Sequence, residues 1–135
     1  MGIFAPETPL AGLHHLTLTV SDLDASLDWY ARVLGFRVVG RAEVDGMRKA
    51  LMHRPDAFSL SFVEHDRTAG GDRFDERRIG LDHVSFGLPD LDALHAWIAM
   101  LDRHDVTHSQ VTAATWGSVV SFRDPDGIAL EFYTR

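Results

Sequence analysis

The chain has 135 residues, 45% of them hydrophobic and 24% charged, which is the make-up of one ordinary folded domain and not of a disordered or membrane-embedded chain. A formal charge of -7 leaves no clustered basic face for nucleic-acid phosphates, and the lack of cysteine excludes disulfides, thiolate metal sites and a cysteine nucleophile. The opening "MGIFAPETPLAG" has neither a basic n-region nor a long apolar run, so a cytoplasmic protein that meets no membrane is expected.

The first element is "LHHLTLTV", whose alternation predicts a strand with Leu16, Leu18 and Val20 facing the core and His15, Thr17 and Thr19 facing away. Ser21 or Asp22 can cap the helix that follows. Leu23, Leu27, Tyr30 and Leu34 form its apolar stripe, and Gly35 can end it. Three strands are expected next, "FRVVGRAEV", "MRKALMHR" and "AFSLSFVEH", with turns at Asp45-Gly46 and Arg54-Pro55-Asp56. The polar, glycine-bearing stretch "DRTAGGDRFDERR" reads as an exposed connector.

A shift of 68 positions then lays Leu81 on Leu13, His83 on His15, Asp90-Leu91-Asp92-Ala93 on Asp22-Leu23-Asp24-Ala25, and Trp97 on Trp29. Two copies of one structural unit explain this. The second copy repeats the strand in "LDHVSFGL" and a helix from Asp90 to about His104, with Leu91, Leu94, Ile98 and Leu101 as its stripe. Strands are expected in "VTHSQVTA", "WGSVVSFRD" and "IALEFYT", with a tight turn at "DPDG". The chain thus divides into one module at about 11–65, a connector at 66–79 and a second module at about 80–134. Neither has enough strands to close a core alone, so the two must pack together or against another subunit.

The opening "HLTLTVSDLDASLDWYARVLGF", the second "LDHVSFGLPDLD" and the ending "FRDPDGIALEFYTR" together resemble the vicinal oxygen chelate superfamily, along roughly residues 11 to 134. That group includes glyoxalase I, extradiol dioxygenases, fosfomycin-modifying thiol transferases and bleomycin-resistance proteins. The resemblance implies an α+β fold of two β-α-β-β-β modules curling into a cup-shaped mixed sheet, and a homodimer. It also implies a divalent metal, Fe(II), Mn(II), Ni(II) or Zn(II), held by His15, His83 and Glu131.

Strand parity agrees with that ligand set. His15 faces away from the core, and Glu131 is opposite in parity to Leu130 and Phe132. The repeat selects His15 over His14, because the counterpart of His14 is Asp82. Two imidazoles and one carboxylate leave positions open for water or a bidentate substrate.

Glyoxalase I draws a fourth ligand from the last strand of its first module, where this chain has Ser61 or Val63, neither a carboxylate; the neighbouring His65 has strand parity suited to a ligand or a base. This departure argues against a standard glyoxalase I. Thr17 matches a threonine of the fosfomycin transferases, but the loop "AATWGSVVSFR" and the end of the chain four residues after Glu131 do not match them. Trp116 is a candidate for lining a substrate pocket, whereas Trp29 and Trp97 suit packing. Arg78 could grip an anionic substrate, although Asp75 and Glu76 suit a solvated ion-pair cluster with Arg77 and Arg78. The expectation is a metal enzyme of the glyoxalase or dioxygenase type, with Glu131 and His65 as catalytic candidates. The alternative is a non-catalytic protein that binds a small toxic molecule in a dimer cleft.

Overall fold

The computed structural model describes residues 7–67 and 72–135. The first module runs β1 (His15–Thr19), α1 (Leu23–Leu34), β2 (Arg37–Val44), β3 (Met47–His53) and β4 (Ser59–His65). The second runs β5 (Val84–Leu88), α2 (Leu91–Arg103), β6 (Thr112–Ala113), β7 (Ser118–Arg123) and β8 (Ala129–Thr134). Each module makes one four-stranded sheet, in the order β1-β4-β3-β2 and β5-β8-β7-β6, so the same topology is written twice. In both sheets the first strand runs parallel to its neighbour and the other pairings are antiparallel. No described helix is long and apolar enough to cross a membrane.

The helices begin and end where their polar residues allow. Asp22 accepts from the Ala25 N–H at 3.1 Å and Asp90 from the Ala93 N–H at 2.8 Å, each satisfying a donor that has no partner within its helix. Gly35 takes the left-handed conformation, φ 74°, that closes α1. The predicted strand "VTHSQVTA" is mostly irregular. Only Thr112 and Ala113 pair as a strand, while upstream Ser109 uses its own N–H and hydroxyl on the backbone of Ser121 and His108 makes a single bridge to Phe122. There, side-chain hydrogen bonds replace a regular ladder.

The two modules share one core rather than each having its own. Trp29 of α1 packs on Phe122 of β7 with centroids 6.4 Å apart, and Phe58 stacks on Phe86 of β5 at 5.8 Å. Trp97 packs on Phe132 at 5.2 Å, so both helix tryptophans serve packing. Phe74 of the connector also reaches this core, which limits how much of the connector is simply exposed.

"DPDG" is more than a turn. The buried Asp124 carboxylate accepts from the Tyr30 hydroxyl at 2.7 Å and from the N–H groups of Asp126 and Ile128 at 2.9 Å. Asp126 accepts from the Ser21 N–H at 3.1 Å, so the motif ties the second module both to the β1–α1 connection and, through Tyr30, to α1 itself.

Within one chain the two sheets stay separate. Among the described residues β1 pairs only with β4, and β5 only with β8, so each keeps an unpaired edge. Leu18 and Val20 are buried against the shared core, whereas His15, Thr17 and Thr19 are exposed on the other face of β1. The candidate ligands therefore sit on faces that the chain itself leaves uncovered.

Candidate functional site

The second module brings two candidate ligands together. Glu131 is level with Ser85 on β5 and with Ser121 on β7, in the middle of the sheet. His83, immediately before β5, turns its Nε2 to 3.0 Å from Glu131 Oε1. On the other side of the ring, His83 Nδ1 lies 2.7 Å from Asp82 Oδ1. The hydrogen bond to Asp82, helped by the negative charge of Glu131, raises the His83 imidazole above its ordinary value despite the opposing effect of burial.

This arrangement has a chemical consequence. A carboxylate only accepts, so the contact with Asp82 requires a hydrogen on His83 Nδ1, and a neutral ring then leaves Nε2 bare. A bare nitrogen and a carboxylate oxygen 3.0 Å apart are two acceptors facing each other. They need a cation between them, either a proton or a metal ion. Neighbouring donors around an ion with bonds of about 2.1 Å are separated by roughly this distance, so the donor set fits a divalent metal.

Ser85, Trp116, Tyr133 and Arg135 line the same open cleft of about 910 Å³ as His83 and Glu131. Trp116 does not belong to a strand. It lies in the turn before β7, 81% exposed, with its backbone N–H donating to the Tyr133 hydroxyl at 3.0 Å. Gly117 explains this tight turn: a Cβ there would lie 1.8 Å from the Thr134 carbonyl oxygen.

The first module contributes a different face. His15 lines a cleft of about 410 Å³ with His14, Lys49, Leu51, Ser59 and Ser61. Register sets His15 level with Ser59 and Thr17 level with Ser61. Ser61, not Val63, thus shares the cleft of His15. His14 Nδ1 lies 2.8 Å from His15 Nδ1. Lys49 was not singled out by sequence reasoning. Its neighbour Arg48 is engaged with Asp24, Glu43 and Glu64, and Arg41 with Asp24, while Lys49 has no carboxylate partner among the described residues. The missed signal was parity, which puts Lys49 on the face of Leu51 and away from the buried Ala50.

Two candidates lie elsewhere. His65 is six positions beyond Ser59 on β4 and level with Met47, so about 20 Å of strand separates it from the level of His15. Arg78 lines a separate cleft with Thr19, Arg73 and Asp126, past the opposite end of β1 from His15. The Arg77 side chain is held by Asp75 at 3.2 Å, an exposed ion pair at the surface. Among the described residues of one chain, no three histidines or carboxylates gather to hold an ion, and His15 lines a different cleft from His83 and Glu131.

Comparison with known proteins agrees with this architecture. Residues 12–132 match the family model described as Glyoxalase/Bleomycin resistance protein/Dioxygenase superfamily. A solved glyoxylase/bleomycin resistance protein/dioxygenase domain from Frankia sp. EAN1pec is 35% identical, covers 93% of both chains and superposes with a TM-score of 0.86. The lactoylglutathione lyase of Haemophilus influenzae is 28% identical over 121 residues, 87% of this chain and 88% of that protein. A Bacillus subtilis (strain 168) protein named as a candidate ring-cleaving dioxygenase is 25% identical over 123 residues, 86% of this chain. The match spans only 38% of that longer protein.

Proposed function

The chain belongs to the glyoxalase/bleomycin resistance protein/dioxygenase superfamily, and on that premise we propose that it is a divalent-metal enzyme acting on a small substrate with neighbouring oxygen atoms. His15 of one copy, with His83 and Glu131 of a second copy, would hold the ion in a homodimer. The observation that carries this reading is the pair of acceptors, His83 Nε2 and Glu131 Oε1, that converge at 3.0 Å on an open face. The unpaired edges of β1 and β5 support the shared site, because joining them edge to edge covers both and brings a histidine-bearing strand of each module together.

When bound, the ion would act as a Lewis acid toward the chelated oxygens. The chain's own residues do the rest. Glu131 would hold the ion through Oε1 and could take up or return a proton at its other carboxylate oxygen. Trp116 and Tyr133 offer an aromatic wall, and Ser61 and Thr17 offer hydroxyls to a bound oxygen. Lys49, with no acid paired to it among the described residues, is suited to meet negative charge on the substrate, which favours a carboxylate- or phosphate-bearing compound over a neutral one.

The test is subunit complementation. His15→Ala and Glu131→Ala proteins should each purify without metal, whereas wild type takes up Zn(II) or Mn(II) near stoichiometrically. Unfolding and refolding the two variants together creates mixed dimers, each with one intact site, so roughly a quarter of all sites should recover metal. Recovery of none sinks the shared site. A wild-type protein that takes up no metal when offered it leaves the chain as a binding protein instead. Loaded protein is then assayed with thiol adducts of methylglyoxal and with catechols, which separates lyase from dioxygenase chemistry.

A further inference from the structure

The residue before each candidate ligand histidine contacts the same ring nitrogen in both modules. His14 and Asp82 occupy equivalent positions of the repeat. His14 contacts Nδ1 of His15 at 2.8 Å, and Asp82 contacts Nδ1 of His83 at 2.7 Å. By type the two residues have nothing in common. By position they share the inner nitrogen of the following imidazole.

We propose that His14 and Asp82 are paired positioning residues: each accepts the Nδ1–H of the next histidine and so fixes the tautomer in which Nε2 is bare and available to a metal. This rests on His15 and His83 being ligands. For Asp82 the direction follows from chemistry, because a carboxylate can only accept. In the His14–His15 contact, one ring donates and the other accepts. If His14 donated, the neutral His15 ring would carry its hydrogen on Nε2 and could not bind an ion there. The role common to both modules is that of acceptor, with His15 donating and the bare Nδ1 of His14 receiving.

The repeat then conserves a function at this position and not a residue type. Ligand histidines generally need such a partner on their second nitrogen, and its loss lowers metal affinity by about 10- to 100-fold. His14 also packs edge-on against His15, with centroids 5.1 Å apart and planes at 78°. A packing role must therefore be separated from an accepting one.

The experiment measures Zn(II) affinity of the full chain at fixed pH by competition with a chelator, together with the melting temperature of the metal-free protein. His14→Phe keeps a ring and removes the acceptor. His14→Asp writes the second module's residue into the first. Asp82→Ala removes the second acceptor, and Asp82→Asn keeps one accepting oxygen. His14→Phe and Asp82→Ala should lose about 10- to 100-fold in affinity with little change in melting temperature, while His14→Asp and Asp82→Asn should retain most of it. Nitrogen-15 imidazole shifts of metal-free wild type should show His15 and His83 with hydrogen on Nδ1, and His14→Phe should release His15 into a mixture of tautomers. Wild-type affinity in His14→Phe and Asp82→Ala, beside lost binding in His15→Ala and His83→Ala, overturns the positioning role and leaves the ligands standing. Unchanged binding in His15→Ala and His83→Ala overturns the ligand set and this role with it.

Discussion

The Tyr30 hydroxyl donates to Asp124 Oδ2 at 2.7 Å, from the middle of α1 to the turn between β7 and β8, and both residues are buried. This bond ties the first module to the second inside the shared core. Burial, with the nearby Asp124 charge, holds the Tyr30 phenol well above its ordinary value and so favours the neutral, donating form. Burial also raises Asp124, against the hydrogen bonds that favour its charged form.

Tyr30→Phe removes that donor and little else. The buried carboxylate then loses one of its three partners, which costs about 1–3 kcal/mol. Calorimetry should show a melting temperature lower by several degrees, on the order of 3–5 °C per kcal/mol for a domain of this size. An unchanged melting temperature would show that this bond adds nothing to the apolar contacts and the Ser21–Asp126 bond that also join the modules.

His108 gives a pH-dependent contribution whose sign is fixed. Its Nδ1 lies 2.7 Å from the Ser109 carbonyl and its Nε2 2.6 Å from Asp102, and these partners raise it above 6.5 against the effect of burial. Because the folded value exceeds the unfolded one, the stabilisation is complete below about 6.5 and disappears as pH rises through the raised folded value. The melting-temperature gap between wild type and His108→Gln should be widest near about pH 5.5 and shrink toward about pH 8.5, with a full size of roughly 0.5–1 kcal/mol. A gap that widens with pH would refute it.

Gly117→Ala should disturb the Trp116 side of the cleft. The new methyl would sit 1.8 Å from the backbone oxygen of Thr134, which cannot rotate away, so β7 and β8 must separate locally. A loss of about 1–3 kcal/mol is expected, with a change in Trp116 fluorescence at temperatures where the protein stays folded. Wild-type fluorescence and stability would show that this turn is not tight.

Lys49→Ala tests the charge preference of the proposed site. Zn(II) affinity should stay unchanged, since Lys49 is on β3, two strands from β1. The affinity of metal-loaded protein for 3,4-dihydroxybenzoate should fall about 5- to 10-fold, the size of one partly solvated ion pair, and that for catechol should not. An equal loss for both compounds would remove Lys49 from charge recognition.

Much of this was legible along the chain. Apolar periodicity and two capping aspartates were enough to find α1 and α2, because helix ends are decided by local hydrogen bonds. Strand parity put His15 and Glu131 on uncovered faces, because side chains alternate whatever the strand packs against. Parity could not say how far along a strand a residue lies from the site. His65 has the right parity and is still about 20 Å of strand away from the level of His15. Nor could sequence patterns show that "DPDG" links two modules, since its partner Tyr30 lies 94 positions away.

The sequence by itself determined the doubled module, its helices and most of its strands, and the choice of His15 and His83 as equivalent positions, since all of these follow from local periodicity and internal repetition. Only the tertiary structure decided that the two sheets share a core through their helices and keep their histidine-bearing faces apart within one chain. It also decided that His14 and Asp82 stand against the inner nitrogens of the histidines that follow them. Those outcomes depend on which buried surfaces meet and on distances of a few ångströms between side chains, and no local pattern of residues encodes either.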